Sequence, residues 1–327
     1  MRYVKLGNSQ IEVSVIGLGA WAIGGKWWGG TDEKESVEAI QASIDSGINF
    51  IDTAPAYGQG LSERLIEKAL RGRRDKVVIA TKCGLRWDLK KGFYFFDYAP
   101  GVPMYRYLGR ESLEYELDQS LKRLGTDYID LYQSHWQDPT TPISETMEAF
   151  LKMKEKGKIR AIGVSNATLD EIKEYARYGI IDSDQEKYSA IDRSIQSDLL
   201  PWCEKNNVSM LAYSPTAKGL LIGKISPDRK FSREDSRFDD PRYSAKNIER
   251  VNMLLEKNLK SVAEKYNVSY GHIATTWLLK SPKVIALCGA RNKNQAIENA
   301  RAGNIELDGD DLKKVDDFIK EYDINPL

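Results

Sequence analysis

The stretch GINFIDTAPAYGQGLSE, residues 47–63, holds one strand–turn–helix unit in seventeen positions. Gly47 closes a helical pattern in which Val37, Ile40 and Ile44 share one face, and Asp32 with Glu35 opens that pattern as a capping box would. Asn49-Phe50-Ile51 is a short apolar run that stops on a carboxylate, Asp52. A turn through Thr53, Ala54 and Pro55 then presents Tyr57 and Gly58, and Ser62 starts a helix with Leu65, Ile66, Ala69 and Leu70 inward and Gly72 after it. A brief apolar strand of this kind suits a parallel sheet buried on both faces.

The unit recurs along the chain. Similar runs lie at residues 15–18, 77–80, 129–132, 161–164, 183–185, 209–212 and 284–287, with amphipathic stretches between them. Leu113, Leu117, Leu121 and Leu124 stripe one helix over residues 110–124 before Gly125; Pro142 opens another, and Thr168 with Glu171 opens a third that Gly179 closes. Eight strand–helix repeats over about 300 residues predict an α/β fold, a (β/α)8 TIM barrel, with a doubly wound sheet as the structural rival. No Pro/Ser-rich linker divides residues 1–327, so one domain is expected. Residues 1–13 read as an N-terminal β-hairpin turning at Gly7-Asn8-Ser9.

Two long loops interrupt the regular spacing, residues 83–110 after strand 3 and residues 214–246 after strand 7. The first carries Trp87, Phe93, Tyr94, Phe95, Phe96, Tyr98, Tyr105 and Tyr107, a composition that favours an ordered lid over a disordered link. After a last helix at 310–321, the tail from Tyr322 to Leu327 is too short to contribute much to a pocket.

Composition narrows the function classes. Lys plus Arg balance Asp plus Glu, 48 against 48, so nothing draws the chain in bulk to nucleic acid or to an anionic membrane. Three scattered cysteines, Cys83, Cys203 and Cys288, give neither a disulfide framework nor a zinc spacing and fit a reducing, cytoplasmic setting. With only His135 and His272, a catalytic zinc held by histidines is not expected. The run GLGAWA, residues 17–22, matches a dinucleotide fingerprint, but Gly24, Gly25, Trp27, Trp28, Gly29 and Gly30 follow where a helix should begin.

In such a barrel the chemistry sits at the carboxyl ends of the strands. Those ends carry Asp52 on the second strand, Lys82 on the third and His135 on the fourth, with Tyr57 on the loop after Asp52. A tyrosine is a proton donor near neutral pH. A neighbouring ammonium would stabilise its phenolate and lower its pKa. Asp52 would keep Lys82 charged and aimed, and His135 would orient a carbonyl or relay its proton. A protonated hydroxyl against a carbonyl oxygen is what hydride addition to C=O requires.

The chain resembles the aldo-keto reductases, nearer their bacterial and potassium-channel-beta-like branches. The resemblance rests on residues 47–63, VVIATKCG, LGTDYIDLYQSHW, KMKEKGKIRAIGVSNA at 152–167, LAYSPTAKGLLIGK at 211–224 and GARNKNQAIEN at 289–299. It implies a catalytic tetrad of Asp52, Tyr57, Lys82 and His135, with Tyr57 as acid/base. It also implies an extended nicotinamide cofactor, and Arg291, a planar fork suited to a phosphate, predicts NADP(H) ahead of NAD(H). Ser165, Asn166 and Gln185 would hold the carboxamide, and Tyr213 would stack on the ring. Ser214, Pro215, Gly219 and Leu220, with Lys224, would follow the pyrophosphate. Gly289, Arg291, Gln295, Glu298 and Asn299 would hold the adenosine end. Position 295 departs from the branches that place a phosphate-binding arginine there.

Trp21, Trp27 and Trp28 after the first strand, Trp87 in the lid and Trp136 are the expected pocket wall, with Trp21 also reaching the cofactor. An aromatic mouth implies aldehydes and ketones with apolar bodies. The other function class is a cofactor-binding regulatory protein with little turnover, as the channel-beta branch implies.

Overall fold

The computed structural model describes residues 1–324. A hairpin comes first, β1 Tyr3–Lys5 and β2 Glu12–Ser14, paired antiparallel with Tyr3 opposite Ser14. Eight later strands close a parallel barrel. They are β3 Ile16–Gly19, β4 Phe50–Asp52, β5 Val78–Cys83, β9 Ile129–Ser134, β10 Ile159–Ser165, β11 Ser183–Lys187, β12 Ser209–Tyr213 and β13 Val284–Gly289. Each apolar run read from the sequence overlaps one of them. Chain order is also the order around the barrel, with β13 pairing back onto β3.

Two layers of core explain the strand composition. Inward residues of six strands, Phe50, Val78, Ala80, Leu131, Ala161, Leu211, Ile285 and Leu287, pack inside the barrel, and Leu6, Ile11 and Val13 of the hairpin join them. The hairpin therefore stoppers the amino end, which leaves the carboxyl end for function. The outer layer, between sheet and helices, forms the larger cluster.

The helices follow their punctuation. Asp32 accepts from Glu35 N at 2.9 Å and starts α1 Glu33–Asp45. Helix α2, Leu61–Leu70, begins after Gly60 and not at Ser62. Ser62 is already buried inside the first turn, where its hydroxyl accepts from Thr53 Oγ1 at 2.9 Å and donates to Ala20 O. The helical ring continues with α3 Arg110–Leu124, α4 Ile143–Glu155, α5 Leu169–Tyr178 behind the Thr168–Glu171 capping box, and α6 Leu199–Lys205. It ends with α7 Ala245–Tyr266, α8 Tyr270–Leu278, α9 Lys293–Arg301 and α10 Gly309–Asp323. None of these helices is long and apolar enough to cross a membrane. Tyr322 stacks on Phe318 against the core, and residues 325–327 of the expected tail lie outside the described residues.

The segment after β5 is ordered, as its aromatics implied, and it is a small sheet. β6 Leu85–Arg86, β7 Phe93–Ala99 and β8 Val102–Arg106 pair antiparallel in the order β6-β8-β7. Leu85, Tyr98, Met104 and Ala56 are its buried centre. The lid's root is Gly84, whose φ of +88° and 2.4 Å clearance to Leu108 Cδ2 leave no room for a side chain. Gly84 N donates to both oxygens of Glu116 on α3, at 3.1 and 3.0 Å. The connection after β12 is built from turns and two short 3-10 segments, Leu220–Ile222 and Pro241–Tyr243, tied together by Tyr243 OH donating to Ala217 O at 2.7 Å.

Candidate active site

Adjacent strands bring the four candidate residues together. Asp52 ends β4, Lys82 lies near the end of β5 and His135 follows β9, and these three strands are consecutive around the barrel. The turn after Asp52 is held by Tyr57 N donating to Ala54 O and Gly60 N donating to Pro55 O. That turn returns the Tyr57 ring to the rim. Lys82 Nζ donates to Asp52 Oδ2 at 2.7 Å, to Thr53 O at 3.0 Å and to Tyr57 OH at 3.2 Å. The Tyr57 and His135 rings meet edge to face, centroids 5.6 Å apart.

The electrostatics differ from the simple expectation in one respect. Burial first, and Asp52 second, hold the Tyr57 phenol well above its ordinary pKa. Lys82 is not among the causes of this shift, although its Nζ donates to the phenol oxygen at 3.2 Å. Burial also pulls Lys82 below its ordinary value despite Asp52. His135 is held well below 6.5, by burial and then by the Lys82 charge, so its imidazole is neutral. The site therefore keeps a protonated phenol beside an ammonium and an uncharged imidazole. Such a set can donate a proton to an oxygen that gains negative charge.

A cavity of about 850 Å³ opens above this group. Asp52, Tyr57 and His135 line it, and Lys82 lies beneath with none of its surface exposed. One end is aromatic and apolar, with Trp21, Trp27, Trp136, Phe95, Phe96, Tyr98, Leu85 and Met104. The other end runs past Ser214, Pro215 and Gly219 to Arg291, Gln295, Glu298 and Asn299, with Lys218, Lys224, Arg229 and Arg237 along it. Ser165, Asn166, Gln185, Tyr213 and Gly289 line it too, as does Trp28.

Two expected residues stand elsewhere. Trp87 packs against the lid's own cluster and does not line the cavity. Leu220 is fully buried in the main core, since it begins a 3-10 turn that faces inward. Lys218, inside the expected 214–220 pyrophosphate segment, lines the cavity, whereas Arg229, Arg237 and the buried Met104 were missed as site residues, because they sit in the two long connections where no periodic signal assigns a direction. For the two arginines the sequence signal was the cluster of basic residues after the seventh strand.

The polar lining is mutually engaged. Asn166, in the left-handed region at φ +54°, donates to His135 O at 3.0 Å and to Ser165 Oγ at 3.1 Å, and accepts from Tyr213 OH at 3.0 Å. Arg291 donates to Trp28 O and Gly30 O, both at 2.9 Å, and its backbone N–H donates to Gln295 Oε1 at 2.8 Å. Gln185, expected to serve a carboxamide, donates to Asp52 Oδ1 at 2.8 Å. Trp28 Nε1 is buried and has no hydrogen-bond partner among the described residues. Among the described residues no group of three or more His, Cys, Asp or Glu could hold a metal ion.

A family model described as the aldo/keto reductase family matches residues 15–320. The NADH-specific methylglyoxal reductase of Escherichia coli is 38% identical over 94% of this chain and 95% of its own length. The glycerol dehydrogenase of Gluconobacter oxydans has the same fold, with a TM-score of 0.89 and 34% identity over 99% of this chain and 97% of that one. An aldo/keto reductase from Klebsiella pneumoniae in complex with NADP and acetate superposes with a TM-score of 0.75 at 27% identity, over 97% of this chain and 95% of that one.

Proposed function

The chain belongs to the aldo/keto reductase family, and on that premise we propose that it is an NADPH-dependent reductase of aldehydes and ketones with Tyr57 as its general acid. The observation that carries the reading is the 3.2 Å contact from Lys82 Nζ to Tyr57 OH at the floor of a cavity with one aromatic end and one cationic end. The cavity fits the cofactor class. Its long arm presents Lys218, Lys224, Arg229, Arg237 and Arg291, as an anionic dinucleotide needs, and the unpartnered Trp28 Nε1 is a donor waiting in the wall.

A bound reduced nicotinamide supplies the hydride for the carbonyl carbon. The chain's own residues handle the oxygen. His135, neutral, hydrogen-bonds the carbonyl oxygen and holds it beside Tyr57. As negative charge gathers on that oxygen, Tyr57 gives up its phenol proton. The Lys82 ammonium then faces the new phenolate, and Asp52 keeps that ammonium in place. Asn166 and Tyr213, already bonded to each other, form the wall against which the nicotinamide end is read. The aromatic end, with the lid's Phe95, Phe96 and Tyr98 over Trp27 and Trp136, excludes water and favours carbonyl compounds with apolar bodies.

The preference for NADPH rests on Arg291 and the neighbouring cations. The test is a comparison of kcat/KM for NADPH and NADH with a panel of aromatic and aliphatic aldehydes. Higher efficiency with NADPH is expected. Equal or higher efficiency with NADH, as in the methylglyoxal reductase relative, would overturn the preference, and tight cofactor binding without turnover would overturn the enzyme reading.

A further inference from the structure

Three N–H donors converge on one buried carboxylate. Lys82 takes Asp52 Oδ2; Gln185 Nε2 and Gln133 Nε2 both donate to Oδ1, at 2.8 and 3.2 Å. An ionised carboxylate can only accept, so each amide must turn its NH2 toward Asp52. The second N–H of Gln185 goes to Gln133 Oε1 at 3.3 Å. Both hydrogens of the Gln185 amide nitrogen are then committed. Among the described residues nothing donates to Gln185 Oε1, and Gln185 lines the cavity while Gln133 does not.

We propose that Gln133 is a positioning residue: it locks the Gln185 side chain with its carbonyl oxygen toward the cavity, as an acceptor for the N–H of a nicotinamide carboxamide. The assignment rests on the reductase reading above. Without Gln133 the Gln185 amide loses the partner for one hydrogen and can rotate, and the cavity loses a fixed acceptor. The barrel makes room for this residue. Gly163 of β10 stands beside it, and a Cβ there would come within 2.8 Å of Gln133 Cγ and 2.4 Å of Ser183 Oγ. Gln133 has no exposed surface, so its amide serves only this network.

The charged and titratable groups around position 133 are few. Asp52 faces it from β4 and Lys82 from β5, Cys83 donates to its backbone oxygen at 3.2 Å, and His135 follows two residues later. Gln185 and Ser183 face it from β11 and carry no charge.

Two variants test the assignment by binding alone. Gln133→Met keeps the length and removes both hydrogen-bonding functions. NADPH and 2′-phospho-ADP-ribose, which lacks the nicotinamide, are titrated against each variant. Gln133→Met is expected to weaken NADPH about tenfold and to leave the nicotinamide-free ligand within about twofold. Equal weakening of both, or of neither, would overturn the assignment. Gln133→Glu supplies the second reading and covers a folding failure of the first. Protonated, the new carboxyl donates to Asp52 and accepts from Gln185; ionised, it repels Asp52. NADPH affinity in this variant is expected near wild type at about pH 5 and at least about tenfold weaker at about pH 8, relative to wild type at the same pH. A constant ratio to wild type across that range would overturn the assignment. Wild-type protein that binds 2′-phospho-ADP-ribose and NADPH equally would overturn it as well. Wild-type protein that binds neither ligand would overturn the reductase reading and this assignment with it.

Discussion

Lys82 Nζ lies 2.7 Å from Asp52 Oδ2, with almost none of either side chain reaching solvent. An ion pair so placed costs desolvation on both sides, and removing one partner strands the other. Lys82→Met is therefore expected to destabilise the chain by about 3–5 kcal/mol and to abolish turnover. Lys82→Met combined with Asp52→Asn should recover most of the stability and none of the activity. Urea unfolding beside steady-state assays checks both halves, and a stable, active single variant would contradict the role given to the pair.

Glu116 gives a pH signature at the root of the lid. Burial pushes its carboxyl up to about 7, against Arg86, the Gly84 N–H and the Ser112 hydroxyl. A folded-state value above the unfolded one means a contribution fully present below about 4.5 and lost as pH rises through about 7. Glu116→Gln keeps an acceptor for Gly84 and removes that loss. It should gain on the order of 3 kcal/mol relative to wild type between pH 5 and pH 8. Unfolding midpoints of both proteins across that range are the check, and parallel curves would refute it.

Arg291 joins the cofactor arm to the first loop through the carbonyls of Trp28 and Gly30. Arg291→Ala should lower kcat/KM with NADPH by about 10- to 100-fold, as loss of a charged phosphate contact does, and lower it less with NADH. The readout is the ratio of the two efficiencies. An unchanged ratio would mean that the guanidinium serves the loop and not the cofactor.

Trp27 stands edge-on to both Phe96 and Tyr98 of the lid, at 5.8 and 5.2 Å between centroids. Trp27→Ala removes the wall that bulky substrates would touch. KM for an aromatic aldehyde should rise about tenfold while KM for a two- or three-carbon aldehyde changes little. A uniform rise for both would point to a folding defect of the lid.

Much of this architecture was legible in the residues because buried parallel strands leave apolar runs that end abruptly. Phe50-Ile51 stopping on Asp52 is such a run, and the helices announced themselves through Asp32, Pro142 and Thr168. Ser62 misled because a hydroxyl near a helix start usually caps it, whereas here Gly60 takes the capping position and Ser62 binds Thr53 and Ala20. The lid could be read as ordered from its aromatics, but its strand pairing could not, since β7 and β8 meet through two register irregularities. Trp87 and Leu220 sat in segments where no period fixes direction. Gln133 was invisible as part of the site: an uncharged residue inside a strand carries no signal until Asp52 and Gln185 are seen on either side of it.

The most direct test compares wild type and Tyr57→Phe, following the absorbance of reduced nicotinamide with NADPH and benzaldehyde, alongside NADPH binding to each protein. The phenol oxygen is the only atom the substitution removes. Turnover by the wild type, a loss of at least about 100-fold in the variant, and NADPH affinities within about twofold of each other are expected. Wild-type turnover in Tyr57→Phe would contradict the general-acid role of Tyr57.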